Sequence, residues 1–225
     1  MNEERTPLTA ERVVAGAVAL ADEIGIEAFT MRKLAEALGV KPMSIYHHVS
    51  SKEEILDGMV DAVFGEIDLP PDHVDWQEAI RQRCVSARAV LHRHPWAPPL
   101  MESRQNPGPA TLGHHDAVIG CLRRGGLSFE LTSHAYAVID SYLYGFALQE
   151  ANLPFHGGEE IAGLAEAILD SLPADEYPHL AEFTADHVLQ PGYHFGQSFE
   201  FGLDLLLDGI EAGAERPSSD GDDQD

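Results

Sequence analysis

Residues 41–48 bring together several groups that can contact nucleic acid. The segment reads Lys-Pro-Met-Ser-Ile-Tyr-His-His, so a cation, a thioether, two hydroxyls and two imidazoles lie close together in the chain. Cations and hydroxyls can bind phosphate oxygens, and Met, Ser and imidazole groups can contact base edges in the major groove. Core packing of Tyr46 or of one histidine against the first helix is the alternative for those side chains. Packing does not explain the whole set, so the segment is a candidate DNA-reading helix.

The charge distribution qualifies this prediction. The chain has 14 Lys and Arg against 38 Asp and Glu, a formal net charge of −24, which by itself argues against a polyanionic partner. Residues 27–52 are the exception, because Arg32, Lys33, Lys41 and Lys52 outnumber Glu27 and Glu36 and leave a local net charge of +2. We hypothesise that the acidic remainder suppresses binding to random DNA.

Helical periodicity surrounds the candidate segment. Val13, Ala17, Leu20 and Ile24 share one helical face, and the chain breaks near Gly25 and again at Gly39. An amphipathic helix, a Gly-Val turn and a short second helix form a helix-turn-helix, with Val40 and Ile45 pointing to the shared core. The predicted helices lie near residues 9–24, 30–38, 42–48, 52–67, 74–91, 108–124, 128–150, 159–172 and 195–213.

The composition and motifs of the chain narrow the classes of protein to which it can belong. The chain has 225 residues, 44% of them hydrophobic, with no apolar run of membrane-spanning length and no signal-peptide pattern after Met1, so we expect a cytoplasmic protein with no membrane partner. Cys84 and Cys121 are expected to be buried thiols. Sequence motifs of hydrolases, phosphate-binding loops and zinc peptidases are missing, which indicates a non-enzymatic protein. A helical hydrolase that uses Asp140 with His134 or His115 is the alternative.

The helix-turn-helix segment resembles the tetracycline-repressor (TetR) family. The likeness is carried by residues 30–35, 38–40, 44–49 and 51–52, and it continues in residues 144–150 and 199–210, which are similar to the subgroup closest to the tetracycline repressors. It implies an all-α fold with a three-helix DNA-binding domain at residues 1–68. The fourth helix, residues 52–67, would link it to a ligand-binding and dimerisation domain at residues 69–215. An acidic, disordered tail would follow at residues 216–225.

The resemblance also implies roles for individual side chains. Thr30 would cap the second helix near a phosphate, and Arg32 would reach a phosphate or a base edge. Residues 41–44 would face the bases, while Tyr46, His48 and Lys52 would hold the DNA backbone. His47 stands where the closest relatives have a larger aromatic residue, so the base preference would differ. The expected DNA contacts are Thr30, Arg32, Lys41, Pro42, Met43, Ser44, Tyr46, His47, His48 and Lys52.

Two C-terminal helices are apolar on more than one face, so one face of each needs a partner unless both are buried within the same chain. The resemblance implies a homodimer joined by a four-helix interface. Its two recognition helices would lie roughly 34–36 Å apart and would read a palindromic operator in double-stranded DNA. The expected interface residues are Leu131, Ala135, Val138, Tyr142, Phe199, Leu203, Leu206 and Ile210, with Phe201 and Leu205 on a different face of the last helix.

The proline-rich segment 92–101 predicts an irregular connection with room for a cavity. The candidate lining is Phe64, Trp96, Met101, Tyr136, Asp140 and Tyr144, with ordinary core packing as the alternative. Tetracycline repressors hold a magnesium-bound drug through a His and a Glu. Leu100 and Gln149 stand near those positions here, which indicates an uncharged, aromatic effector and not tetracycline.

No metal or other cofactor is expected, because the pairs His92 with His94 and His114 with His115 lack ligand spacing. The sequence therefore predicts a DNA-binding transcriptional regulator, a repressor released by a small molecule whose binding shifts the fourth helix. An effector-independent DNA-binding protein is the alternative.

Overall fold

A computed structural model describes residues 7–153 and 175–215 together with residues 163, 167, 169, 172 and 173. Across these residues the regular secondary structure is entirely helical, which confirms the all-α prediction. The predicted helix at 159–172 lies largely outside the described residues, and the predicted tail at 216–225 lies wholly outside them. The helices are α1 (Ala10–Ile24), α2 (Met31–Ala37), α3 (Pro42–Ile45), α4 (Lys52–Glu66), α5 (Trp76–Arg93), α6 (Ala97–Met101), α7 (Pro109–Arg124), α8 (Phe129–Ala151), α9 (Pro178–Phe183) and α10 (Ser198–Ala214).

Side-chain caps set where several helices begin. Thr30 Oγ1 accepts the backbone N–H of Lys33 at 3.2 Å, and Ser51 Oγ accepts that of Glu54 at 3.1 Å. Each cap satisfies a backbone donor that the first helical turn leaves unpaired. The helix α3 is shorter than predicted. It ends at Ile45, so Tyr46, His47 and His48 occupy the following turn.

The first four helices pack tightly together. Gly39 adopts a left-handed φ of 65° in the turn between α2 and α3, a conformation that favours glycine. A Cβ at Gly58 would lie 2.8 Å from Val14 Cγ2, so glycine permits the close approach of α1 and α4. Leu34, Ala35 and Ile45 are fully or almost fully buried. Ile45 thus agrees with the predicted inner face, while Val40, which was also predicted to point inward, is half-buried.

The helix α4 belongs to both halves of the molecule. Its N-terminal half packs on α1, and it also contacts α5, α6 and α7 in the larger domain. Ile55, Met59 and Val63 of α4 are fully buried, whereas Ala62 of the same helix is exposed. Because this helix packs against elements of both halves, a movement in one half can reach the other through it.

The larger domain packs α5, α7, α8 and α10 together, and their buried apolar residues are continuous with those of the first four helices in one core. The segment 92–101 was predicted to be irregular, but it contains α6. Proline lies in the first turn of α6, where the N–H that it lacks would have no helical acceptor. Cys84 and Cys121 are buried free thiols, as expected. Of the helices that the structure describes, none has the length and hydropathy needed to cross a membrane.

Candidate nucleic-acid interface and effector site

The helix-turn-helix separates buried from exposed side chains residue by residue. Ile45 and Val49 are buried, whereas Met43 and Tyr46 expose 69% and 43% of their surface. A large apolar side chain as exposed as Met43 has no packing role within the chain. Of the predicted DNA contacts, Ser44 is half-buried and all the others are exposed. The packing alternative for Tyr46 and the histidines finds no support in this exposure.

The cations of this region are available for phosphate. Among the described residues, Arg32, Lys41 and Lys52 form no salt bridge, although the Lys52 ammonium lies 5.6 Å from the centre of the Phe29 ring. Several cations elsewhere are held by carboxylates, as Arg104 is by Asp57 at 2.6 Å. The basic surface of α2, α3 and the start of α4 can therefore approach a polyanion without breaking an ion pair.

A polar cluster lies inside the larger domain, between α5, α7 and α8. Arg83 is fully buried; its Nη1 donates to Asp140 Oδ1 at 3.0 Å, and its Nε donates to His114 Nε2 at 2.8 Å. Burial, and then the adjacent Arg83 charge, lower the pKa of His114 to about 3, so this imidazole is neutral. Burial also raises the pKa of Tyr136 and Tyr144 above the usual phenol value.

An aromatic group joins this cluster to α4. The Phe64 ring lies 5.3 Å from His114 and 5.4 Å from His115, centre to centre. His115 Nδ1 and the Tyr136 hydroxyl share a hydrogen bond. Phe64, Tyr136, Asp140 and Tyr144, all predicted to line the effector pocket, thus lie in one connected group.

A cavity of about 170 Å³ opens beside this group, on the side of α4. Met101 and His115 border it, together with Asp57 and Val60 of α4. Met101 is thus the predicted lining residue that borders this cavity, whereas Phe64, Tyr136, Asp140 and Tyr144 lie in the adjacent group and are not among its lining residues. The same helix contributes Asp61, whose Oδ1 accepts the backbone N–H of Thr111 at 2.8 Å at the start of α7. Any molecule in this cavity therefore touches the helix that links the two halves.

Trp96 does not belong to the pocket, which corrects the prediction. Its Nε1 donates to Asp22 Oδ1 at 2.6 Å, and His94 Nδ1 lies 2.7 Å from the same oxygen. Asp22 belongs to α1, so the tryptophan joins the larger domain to the DNA-binding domain. The aromatic character that marked Trp96 as a lining residue instead serves this junction.

The predicted dimer face is also corrected. Ala135, Phe199, Leu203 and Ile210 are buried within the chain, because α8 and α10 pack their large apolar stripes against each other and the core. Leu131, Leu206 and Tyr142 are half-buried, and the Tyr142 hydroxyl donates to backbone carbonyls of α10. Only Val138 is exposed among the predicted interface residues. The large apolar side chains that these two helices leave exposed are Phe129, Val138, Leu148, Phe201 and Leu205.

Within the described residues, no group of three or more His, Cys, Asp or Glu side chains is placed to hold a metal ion. His114 and His115 take part in the polar cluster, and His94 binds Asp22. Gln149 is exposed, and its neighbour Glu150 pairs with Arg88 at 2.5 Å. Glu150, the carboxylate next to the position that the resemblance assigns to the magnesium-binding Glu, is therefore already paired within the chain.

Comparison with known proteins matches both halves of the chain. A family model described as "Bacterial regulatory proteins, tetR family" matches residues 13–59, and one described as "Tetracyclin repressor-like, C-terminal domain" matches residues 69–214. The second model alone covers more than half of the sequence. The chain belongs to the TetR family. It is accordingly a DNA-binding transcriptional regulator, and the non-enzymatic prediction is confirmed by the family and its relatives.

Named relatives agree with this TetR-family assignment. An HTH-type transcriptional regulator of Saccharopolyspora erythraea is 34% identical over 92% of this chain and 86% of its own length. The HTH-type transcriptional repressor DrrR1 of Streptomyces coeruleorubidus is 34% identical over 91% of this chain and 77% of its own. The structure of ActR from Streptomyces coelicolor in complex with actinorhodin is similar with a TM-score of 0.75, 29% identity and coverage of 94% of this chain and 100% of that one.

Sequence reasoning missed Arg83 and undervalued His114 and His115 in this TetR-family chain. A signal was present in both helices. Arg83 lies on the apolar stripe of α5 between Ile80 and Ala87, and His114 lies on the buried stripe of α7. A charged residue within an apolar stripe indicates a buried and therefore paired group.

Proposed function

We propose that this TetR-family regulator is a repressor that binds a palindromic operator as a homodimer and is released by a small-molecule effector. The observation that carries the proposal is the cavity beside Phe64, His115 and Tyr136. One wall of this cavity is formed by α4, which also packs on α1. A ligand that fits only one position of α4 would shift the population toward that position. The similar ActR structure, which is in complex with actinorhodin, supports this interpretation.

The DNA contacts are proposed to be the ten exposed or half-exposed side chains of the basic surface. Met43 would offer apolar contact to a thymine methyl group, while Tyr46, His48 and Lys52 would bind the backbone. The exposure of these side chains and the unpaired state of Arg32, Lys41 and Lys52 among the described residues support this assignment.

Selection from a random duplex pool tests the DNA-binding part, and the expected product is a symmetric sequence. The double variant Tyr46→Ala with Lys52→Ala should then lose at least tenfold in affinity for that sequence in a gel shift. The matched control is Tyr177→Ala with Arg124→Ala, which also removes an exposed aromatic and an exposed cation, but from the larger domain. An unchanged gel shift for the first pair contradicts the assignment.

The subunits are proposed to join through the outward face of α8 and α10. Phe201 and Leu205 expose 68% and 59% of their surface, and such large apolar groups favour a partner. Gly145 and Gly209 belong to the same two helices, and open space lies where their side chains would be, which permits close approach of a second helix pair.

A charge on this face should separate the subunits. Phe201→Glu with Leu205→Glu is expected to give a monomer at micromolar concentration by light scattering, because the interface would bury two carboxylates. Leu112→Glu, at a 55% exposed position of α7, is the control and should remain dimeric. A dimer that survives the double substitution contradicts the proposed face.

A further inference from the structure

The cluster around Arg83 contains donors that the protein itself does not satisfy. Arg83 Nη2, His114 Nδ1 and the Tyr144 hydroxyl are buried, and none has a hydrogen-bond partner among the described residues. Such groups are uncommon in folded proteins, and each destabilises the chain that leaves it unpaired. Three of them on adjacent helices therefore require an explanation.

All three unpaired atoms can act as hydrogen-bond donors. Arg83 Nε donates to His114 Nε2, so Nε2 is the acceptor nitrogen of a neutral ring and Nδ1 carries the hydrogen. A guanidinium nitrogen can only donate, and the Tyr144 hydroxyl can donate as well. Each of the three unpaired groups can thus donate a hydrogen atom to an added acceptor.

The charge of the cluster is already balanced. Arg83 is paired with Asp140 at 3.0 Å, and the side chain of Asp140 is only 13% exposed. An anionic ligand would meet this carboxylate at short range, in a chain whose formal net charge is −24. A neutral acceptor, such as a ketone oxygen, needs no counter-charge.

The surroundings indicate a flat ligand. The Phe64 ring contacts the rings of His114 and His115, and the His115 ring contacts that of Tyr136. The centre-to-centre distances are 5.3–5.8 Å. Aromatic faces and edges of this kind pack well against a planar ring system.

We propose that the effector is an uncharged, planar aromatic ketone or quinone whose carbonyl oxygens accept hydrogen bonds from Arg83 Nη2, the Tyr144 hydroxyl and His114 Nδ1. The Tyr144 hydroxyl lies beside the Arg83 guanidinium but outside normal hydrogen-bond geometry. A carbonyl oxygen has two lone pairs and can accept from both groups. This inference rests on the proposed function, since it names the ligand class of the proposed effector, whose cavity borders His115, the neighbour of His114 on α7.

Equilibrium dialysis of the full chain against three matched probes tests the inference. 9-Fluorenone carries a carbonyl, fluorene has the same ring system without it, and fluorene-9-carboxylate carries an anion. We expect 9-fluorenone to bind at least fivefold more tightly than either of the others. Equal binding of fluorenone and fluorene, or tighter binding of the carboxylate, overturns the proposal.

The variant Tyr144→Phe tests whether the preference for a carbonyl ligand arises from the cluster around Arg83. It removes one donor, so fluorenone affinity should fall about fivefold and fluorene affinity should not change. The melting temperature of the ligand-free chain should hold or rise, because an unpaired buried hydroxyl is lost. Tyr142→Phe is the control. Its hydroxyl donates to the carbonyls of Ser198 and Phe199, so this variant should melt earlier and bind fluorenone normally.

Unchanged fluorenone affinity in Tyr144→Phe, or a clear loss of melting temperature in that variant, overturns the carbonyl assignment. The gel shift on selected DNA separates this failure from failure of the proposed function. If ligand-free chain binds the operator but shows no carbonyl preference, only the ligand class is wrong. If the wild-type chain selects no operator, the repressor proposal itself is wrong.

Discussion

The helix-turn-helix and the cluster around Arg83 differ in whether their cations are exposed or buried. Arg32, Lys41 and Lys52 are exposed and, among the described residues, form no salt bridge, whereas Arg83 is fully buried between Asp140 and His114. An exposed cation keeps its hydration and remains available for phosphate, but a buried one requires compensation inside the protein. Changes in the first region should therefore alter binding and spare the fold, and changes in the second should alter both.

The largest expected effect is the loss of the buried cation. Arg83→Met leaves Asp140 as an uncompensated carboxylate in a nearly closed site, so we expect the free energy of unfolding to fall by about 3–5 kcal/mol. Urea denaturation followed by circular dichroism measures this change.

Two further variants sharpen the comparison of buried with exposed cations. Arg124→Met removes a cation whose pair with Asp72 is exposed, at 58% and 83% of the two side chains, and should cost only about 0–1 kcal/mol. Arg83→Met combined with Asp140→Leu should recover most of the lost stability, because no lone charge remains buried. An Arg83→Met variant as stable as Arg124→Met contradicts the contrast between the regions.

The second effect is a pH dependence confined to the core. Burial, together with the Arg83 charge, lowers the pKa of His114 to about 3, below its unfolded value of about 6.5. The unfolded chain therefore binds more protons between these values, and stability is lost as the pH falls through that window. Relative to His114→Gln, whose amide oxygen can still accept from Arg83, wild type should lose about 2 kcal/mol more between pH 7 and pH 5.

Urea titrations of both proteins at pH 7, 6 and 5 check this difference. His47→Gln is the matched control in the DNA-binding region, where the imidazole is exposed and should give no comparable difference from wild type. Parallel pH profiles for wild type and His114→Gln would mean that His114 is not held neutral by its surroundings.

The smallest expected effect is the loss of stability on removing one helix cap in each region. Thr30 and Ser128 each accept a backbone N–H of the first helical turn, at 3.2 Å and 3.1 Å. Thr30→Ala and Ser128→Ala should each lower stability by about 1 kcal/mol, since each leaves one donor of the turn unpaired. Only Thr30→Ala should also weaken the gel shift, because its cap positions the DNA-binding surface. Equal DNA affinity for the two variants would mean that Thr30 does not belong to the DNA-binding surface.

The accuracy of the sequence predictions differs between the same two regions. In the helix-turn-helix, the inner position Ile45 and the outer positions Met43 and Tyr46 were placed correctly, because period and caps act within a few residues of one another. The end of α3 was the exception, since the chain turns after Ile45. In the core, apolar stripes on α8 and α10 were visible, but the stripe assigned to the partner subunit is the one that the chain buries itself.

The sequence by itself determined the fold class, the position of the DNA-reading segment and the acidic balance of the chain, because composition, caps and periodicity are local properties. Only the tertiary structure decided which stripe stays outward, that Trp96 meets Asp22 of α1, and that Arg83 finds Asp140 and His114. Periodicity shows which residues share a face, whereas the partner of that face is chosen by helices far apart in the chain.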